Sequence, residues 1–286
     1  MFRKQYIINL FFSLLVMACW LPALAQVKLM AIGDSKTQGN EFLGWRDALY
    51  NKLSAAGYAF IPVGNYGNRV NGVGGIPPMK DTCGAEWIND IGENGRNYQG
   101  KWPIDFEGHG GFQAGKSCSE TGYTDHALSQ MVEADIPRFT PDIIIMDIGT
   151  NDIWGGWTAH GPWYGGKFWS GTKEAAAENV LNLIDKIHSL APDAFILASD
   201  IGRVSAGMEY SLQEFGTLLK KGIGIRVKKG RRIQYVGNIY ADLTPEDVGP
   251  DHVHPLRSGY MKMANRWFKA LKPVFDKMKK VSFPLE

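Results

Sequence analysis

The sequence predicts an α/β protein, a three-layer α/β/α sandwich in which helices cover both faces of a parallel sheet. Short apolar runs of strand length alternate along the chain with segments of helical periodicity. One run, residues 143–146, is apolar without interruption, which is typical of a central strand buried on both faces. Residues 65–123 and 154–171 are Gly-rich segments that break this rhythm where strands should end. Ligands bind at the carboxyl ends of such strands, so both insertions are predicted to build a site.

The regular elements indicate one domain, residues 26–286, without internal repeats. Five strands are predicted, at residues 27–32, 59–63, 142–148, 194–198 and 233–239. Helices are predicted at residues 44–56, 172–190 and 208–222. A last helix follows from apolar positions recurring at helical spacing, namely Tyr260, Met263, Ala264, Trp267, Phe268 and Leu271. We therefore predict a parallel, flavodoxin-like five-stranded sheet with two loop insertions.

The first 25 residues have the layout of a secretory signal peptide. Arg3 and Lys4 form a basic start, residues 7–21 are almost wholly apolar, and a small-residue cleavage site ends at Ala25. A secreted or periplasmic protein with no membrane span after cleavage is expected. Two alternatives remain open, a retained membrane anchor and a lipoprotein acylated at Cys19.

Net charge excludes one class of function. Without Arg3 and Lys4 the 31 Lys and Arg side chains become 29, equal to the 29 Asp and Glu side chains. A neutral protein of this kind offers no electrostatic basis for nucleic-acid binding. The locally basic residues 220–232 are expected to be a solvated helix end and turn.

Two cysteines, Cys83 and Cys118, remain after signal removal. Because an exported protein meets an oxidising compartment, a disulfide between them is expected, tying down the first insertion.

A nucleophile and its base are suggested by two polar motifs. The Gly-Asp-Ser motif at residues 33–35 follows the first strand, where a serine hydroxyl lies at the mouth of the sheet and Gly33 permits a sharp turn. Serine needs a base to take its proton, and His254 is the candidate, oriented by Asp251 three residues earlier. Alternatives are an ordinary surface loop, or a metal site at Asp251, His252 and His254. No second ligand cluster accompanies these residues, so neither a metal nor another cofactor is expected.

An oxyanion donor is suggested by the polar motif after the central strand. The side-chain amide of Asn151 is placed to stabilise the charge that develops on an attacked carbonyl oxygen. A backbone N–H from the glycine-rich residues 108–111 would complete the hole. Asp152 is expected to cap a helix.

These motifs together resemble the four conserved blocks of the SGNH (GDSL-type) hydrolases, in the family's order over most of the mature chain. The matching blocks are residues 33–35, residues 109–112, residues 149–152, and the pair Asp251 and His254. The resemblance implies Ser35 as nucleophile, and Asp251 and His254 as its acid–base pair. It also implies an oxyanion hole made by the Ser35 N–H, Gly111 and Asn151, and no cofactor.

Within the superfamily, residues 107–112 and 148–153 look most like the carbohydrate acetylesterase branch that includes acetylxylan esterases. Two residues depart from the usual pattern. Gly110 stands where that branch tends to carry Ser, which leaves open whether Gly110 or Gly111 is the donor. Lys36 follows the nucleophile where an apolar residue is usual. A solvated lysine, or one that favours an anionic substrate, would explain it.

The second insertion carries a cluster of aromatic side chains just after Asn151: Trp154, Trp157, Trp163, Tyr164, Phe168 and Trp169. Their flat faces suit sugar rings, although aromatics also pack insertions onto a domain. We predict an esterase that removes acetyl groups from a polysaccharide or oligosaccharide. The alternatives are a lysophospholipase or thioesterase on the same scaffold, and a non-catalytic carbohydrate-binding derivative.

Overall fold

The computed structural model describes residues 26–39, 44–64, 107–108, 113–115, 128–154, 172–202, 209–250 and 252–281. Five parallel strands form its central sheet: β1 (Val27–Gly33), β2 (Phe60–Val63), β4 (Ile143–Asp147), β5 (Phe195–Ser199) and β6 (Ile233–Val236). Their order, β2-β1-β4-β5-β6, is flavodoxin-like. The short β3 (Glu107–Gly108) pairs with the end of β1. The predicted α/β fold is therefore confirmed.

Seven helices accompany the sheet in the described part of the chain. They are α1 (Ser35–Gln38), α2 (Arg46–Ala55), α3 (Leu128–Phe139), α4 (Thr150–Trp154), α5 (Lys173–Leu190), α6 (Glu209–Lys228) and α7 (Arg257–Val281). Among the helical residues described, no stretch combines the length and apolar character needed to cross a membrane.

The core divides into two layers because successive strand residues face opposite sides of the sheet. Met30, Ile144 and Ile196 pack on one side with the buried faces of α3, α5 and α6. Their neighbours Ile145 and Leu197 pack on the other side with α2 and α7. Both faces of the sheet are thus covered, as in a three-layer sandwich.

Three features of the fold differ from the sequence prediction. Helix α6 continues to Lys228, six residues beyond its predicted end at residue 222. Helix α3 was not predicted, although Leu128, Val132 and Ile136 recur every fourth residue and are all buried. The last strand ends at Val236, because Asn238 adopts a left-handed φ of 65° that a strand cannot continue through.

Candidate active site

Ser35 begins the short helix α1 immediately after β1. Asp34 caps this helix, with its side chain accepting the backbone N–H of Lys36 at 3.0 Å. The cap holds Ser35 at the first helical position, where its side chain is half-buried. The nucleophile candidate is therefore fixed by its own neighbours and still open to solvent on one side.

Gly33 is required for space and not for an unusual backbone conformation. Its φ is not positive. A Cβ at this position would overlap the backbone carbonyl oxygen of Asp147 and the side chain of Thr37. Glycine therefore lets the turn carrying Ser35 lie directly against the end of β4.

His254 lies in a tight loop before α7. The His254 carbonyl accepts the Gly249 N–H at 2.8 Å, and the Leu256 N–H donates to the Asp247 carbonyl at 2.7 Å. Asp247 also forms an ion pair with Lys262 of α7. The loop is thus held at its base by backbone hydrogen bonds and by one ion pair.

The loop and the turn bring two chain-distant side chains together. His254 Nε2 lies 2.7 Å from Ser35 Oγ, across 219 positions of sequence. Both side chains are half-buried. This is the hydrogen-bond geometry that a serine nucleophile and its general base require.

Asn151 and Asp152 lie in the first turn of α4, beyond the carboxyl end of β4, and both are buried. Because Gly33 and Asp147 are paired in register, the first turn of α4 and the turn carrying Ser35 leave the sheet side by side. The Asn151 carbonyl accepts a hydrogen bond from Gln113 Nε2 at 3.1 Å. The backbone of Asn151 is therefore tied to residues 113–115.

Asp152, which was expected to cap a helix, also bridges chain segments. Its two carboxylate oxygens accept the Ala114 N–H and Asn179 Nδ2, each at 2.9 Å. Burial raises the pKa of Asp152 to about 6, against the opposing effect of these hydrogen bonds. Asp152 thus joins α4 and α5 to the segment that follows the glycine block.

The glycine-rich residues 108–111 begin beside β1, the strand that leads to Ser35. Gly108 pairs with Gly33 at the end of β1. The donor candidates Gly110 and Gly111 lie outside the described residues, and so does Asp251.

Several other predicted features also fall outside the described residues. The signal peptide, Cys83, Cys118, Trp157, Trp163, Tyr164, Phe168 and Trp169 lie there. Trp154 ends α4, and the structure describes only its backbone. Within the described ranges, no group of three His, Cys, Asp or Glu side chains is arranged to hold a metal ion.

Sequence reasoning missed the environment of Lys36. Its side chain is only 2% exposed, so the expectation of a solvated or substrate-facing lysine was wrong. The ammonium group donates a hydrogen bond to Thr150 Oγ1, and Thr150 is the first residue of α4. Only the departure from an apolar residue at this position signalled an unusual role.

A serine–histidine pair at the carboxyl edge of a parallel sheet defines a class of α/β serine hydrolases. The family model for GDSL-like lipases and acylhydrolases matches residues 29–267, and this chain belongs to that family. The chain is therefore a member of a family of carboxylic ester hydrolases, as the SGNH (GDSL-type) resemblance predicted.

Solved structures share this fold at low sequence identity. A family 3 carbohydrate esterase from Clostridium thermocellum has a TM-score of 0.58 at 18% identity, covering 88% of this chain and 98% of that one. A serine-to-alanine mutant of an acetyl esterase, solved with acetate ion, has a TM-score of 0.59 at 18% identity, covering 88% and 100%. A carbohydrate esterase family 3 structure from Talaromyces cellulolyticus has a TM-score of 0.59 at 16% identity, covering 88% and 99%. No curated protein is significantly similar in sequence.

Proposed function

We propose that this protein is a secreted serine esterase that removes acetyl groups from a polysaccharide or oligosaccharide. The observation that carries the proposal is the 2.7 Å contact between Ser35 Oγ and His254 Nε2. Both atoms belong to half-buried side chains at the carboxyl edge of the sheet, where a substrate has access.

In the first half of the reaction Ser35 Oγ attacks the acetyl carbonyl carbon while His254 takes the hydroxyl proton. The oxyanion is stabilised by the Ser35 N–H, the Asn151 side-chain amide and the N–H of Gly111. Collapse of the tetrahedral intermediate breaks the bond to the sugar oxygen, which receives the proton from His254. The sugar hydroxyl leaves, and the acetyl group stays on Ser35.

In the second half, His254 takes a proton from water as the water oxygen attacks the acetyl carbonyl. The bond to Ser35 Oγ breaks, the proton returns to Ser35, and acetate is released. Asp251 has the role of orienting His254 and stabilising its charged form. The whole cycle uses protein groups, both side-chain and backbone, and water.

The choice of an acetyl group on a glycan has separate support. Two of the compared structures bear the name carbohydrate esterase and one the name acetyl esterase. The aromatic residues of the second insertion offer ring faces suited to sugars, and its glycines break the continuous aliphatic lining that a long acyl chain needs.

The test is acetate release from acetylated xylan, pectin, chitin and peptidoglycan fragments, together with turnover of acetyl and octanoyl nitrophenyl esters. We expect acetate from at least one glycan and a preference for the acetyl ester. A preference for the octanoyl ester would indicate that the protein is a long-chain acyl hydrolase instead. Glycan binding without turnover of any ester would favour the non-catalytic derivative.

A further inference from the structure

Lys36 is a fully buried cation directly next to the proposed nucleophile. Its side chain is 2% exposed, and its ammonium group donates a hydrogen bond to Thr150 Oγ1. Asp34 Oδ2 lies 3.6 Å away, and the ring centroid of Tyr240 lies 5.7 Å away. The lysine therefore reaches from α1, which carries Ser35, to the residue that begins α4.

A second carboxylate completes the surroundings of Lys36. Asp147 is completely buried at the end of β4, and the Tyr240 hydroxyl contacts its two oxygens at 2.7 and 2.6 Å. Burial raises the pKa of Asp147, and the neighbouring charge of Lys36 opposes that rise. One ammonium, two carboxylates and a phenol thus form a buried cluster next to the turn that carries Ser35.

Such a cluster is costly to bury, and a well-packed apolar side chain would often serve stability as well or better. Lys36 replaces the apolar residue that usually follows the nucleophile in this family. What the lysine adds is a fixed link between two separate chain segments, since an apolar side chain cannot bond to Thr150. That link lies one residue from Ser35 at one end and one residue from Asn151 at the other.

We propose that Lys36 is a positioning residue that holds Asn151 in register with Ser35 through its hydrogen bond to Thr150. The inference rests on the proposed roles of Ser35 and Asn151. Oxyanion donors must lie about 2.7–3.1 Å from the oxygen of the transition state. A donor displaced by about 1 Å loses on the order of 10²-fold in rate, with much less effect on ground-state binding.

The test separates positioning from charge balance. Lys36→Met keeps the length of the side chain but leaves Asp34 and Asp147 without their cation, so it is combined with Asp147→Asn. Because Asp34 still loses its ion pair, the double variant should unfold at a lower temperature than the parent. At a temperature where it is fully folded, it should lose about 10- to 100-fold in kcat on nitrophenyl acetate with KM little changed. Asp147→Asn alone, which retains the Lys36–Thr150 bond, should keep most of the parental kcat.

A second comparison tests the bond itself. Thr150→Val should lower kcat like the double variant, and adding it to the double variant should cause no further loss, because both changes remove one link. Parental kcat in the double variant, or fully additive losses, would overturn the positioning role.

Reaction with a fluorophosphonate gives a readout that does not depend on the natural substrate, since it requires only the nucleophile, its histidine base and the oxyanion donors. We expect the double variant to be labelled at Ser35 about 10- to 100-fold more slowly than the parent. Equal labelling rates would overturn the inference even in an active esterase. Failure of the parent to deacetylate any glycan, with slower labelling in the variant, would refute only the proposed substrate.

Discussion

The carboxyl edge of the sheet and the solvent face of α7 place charges in opposite ways. At the edge, Asp34, Lys36 and Asp147 are each no more than 1% exposed. On α7, Arg266 forms two hydrogen bonds with Asp242, at 2.6 and 2.5 Å, between side chains that remain 31% and 45% exposed. This Arg266–Asp242 pair, the outer pair, has good hydrogen-bond geometry, yet water competes for both partners.

This difference separates charges that serve a site from charges that keep a surface solvated. Exposed ion pairs contribute little to stability because solvent screens them and ordering two side chains costs entropy. Buried ionisable groups are expensive, and their clustering beside a cleft is typical of functional sites. Substitutions in the two regions should therefore differ in both size and kind.

The largest effect is expected at Ser35, where Ser35→Ala should lower kcat by at least about 10⁴-fold because the proposed nucleophile is lost. The side chain is half-buried, so the thermal unfolding midpoint should change little. Esterase assays and thermal unfolding check both expectations. Ser189→Ala is the matched control, since Ser189 is an exposed helix residue whose hydroxyl donates to the Lys186 carbonyl. Near-parental turnover in Ser35→Ala would refute the nucleophile assignment.

The next effect is expected at Asn151. Asn151→Ala removes one proposed oxyanion donor, and we expect kcat to fall by about 10²–10³-fold with KM little changed. Steady-state kinetics on nitrophenyl acetate provide the measurement. Asn51→Ala is the control, because Asn51 contacts only Asp47 on the exposed face of α2 in the contacts described. A rise in KM with an unchanged kcat would show that Asn151 binds substrate without stabilising the oxyanion.

The same contrast explains what could be predicted from the sequence. The strands were predictable because burial on both faces demands continuous apolar runs, as at residues 143–146. Ser35 and His254 were predictable as residue types, because ester hydrolysis needs a nucleophile and a base. Their contact depends on the order of the strands, which no local pattern encodes.

The buried cluster was less accessible to sequence reasoning. A lysine in a turn is normally solvated, and the burial of Lys36 depends on Asp147 and Tyr240, which come from distant parts of the chain. The bridging role of Asp152 likewise depends on Ala114, a residue that only the tertiary fold places within reach. Sequence patterns therefore did not predict these contacts between residues far apart in the chain.

A smaller effect, on stability and its pH dependence, is expected at Asp152. Asp152→Asn replaces one carboxylate oxygen by an NH2 group, which would face either the Ala114 N–H or the Asn179 amide. Because two donors would then face each other, we expect the free energy of unfolding to fall by about 1–3 kcal/mol. Burial raises the pKa of Asp152 to about 6, above the ordinary value of 3.8. Between these values the folded state keeps a proton that the unfolded state has lost. This group's contribution to stability therefore falls as the pH rises from about 4 to about 6.

Asp152→Asn removes that titration, so its disadvantage relative to the parent should shrink across the same pH interval. Urea unfolding of both proteins from pH 4 to pH 8 measures the difference. Asn179→Ala, which removes one partner and keeps the carboxyl group, should retain the parental direction of pH dependence. Parallel pH profiles for Asp152→Asn and the parent would contradict the assignment.

The smallest effect is expected on the solvent face of α7. Arg266→Ala breaks the pair with Asp242, whose pKa the Arg266 hydrogen bond holds below its ordinary value. Because both partners remain in contact with water, the urea midpoint should stay close to that of the parent, and any difference should disappear at high salt. Kinetics on nitrophenyl acetate should be unchanged, because Arg266 bonds to Asp242, one helical turn beyond the Lys262–Asp247 ion pair at the base of the His254 loop. A large, salt-independent loss of stability would mean that the outer pair is as tightly coupled to the fold as the buried cluster, and the distinction between the two regions would fail.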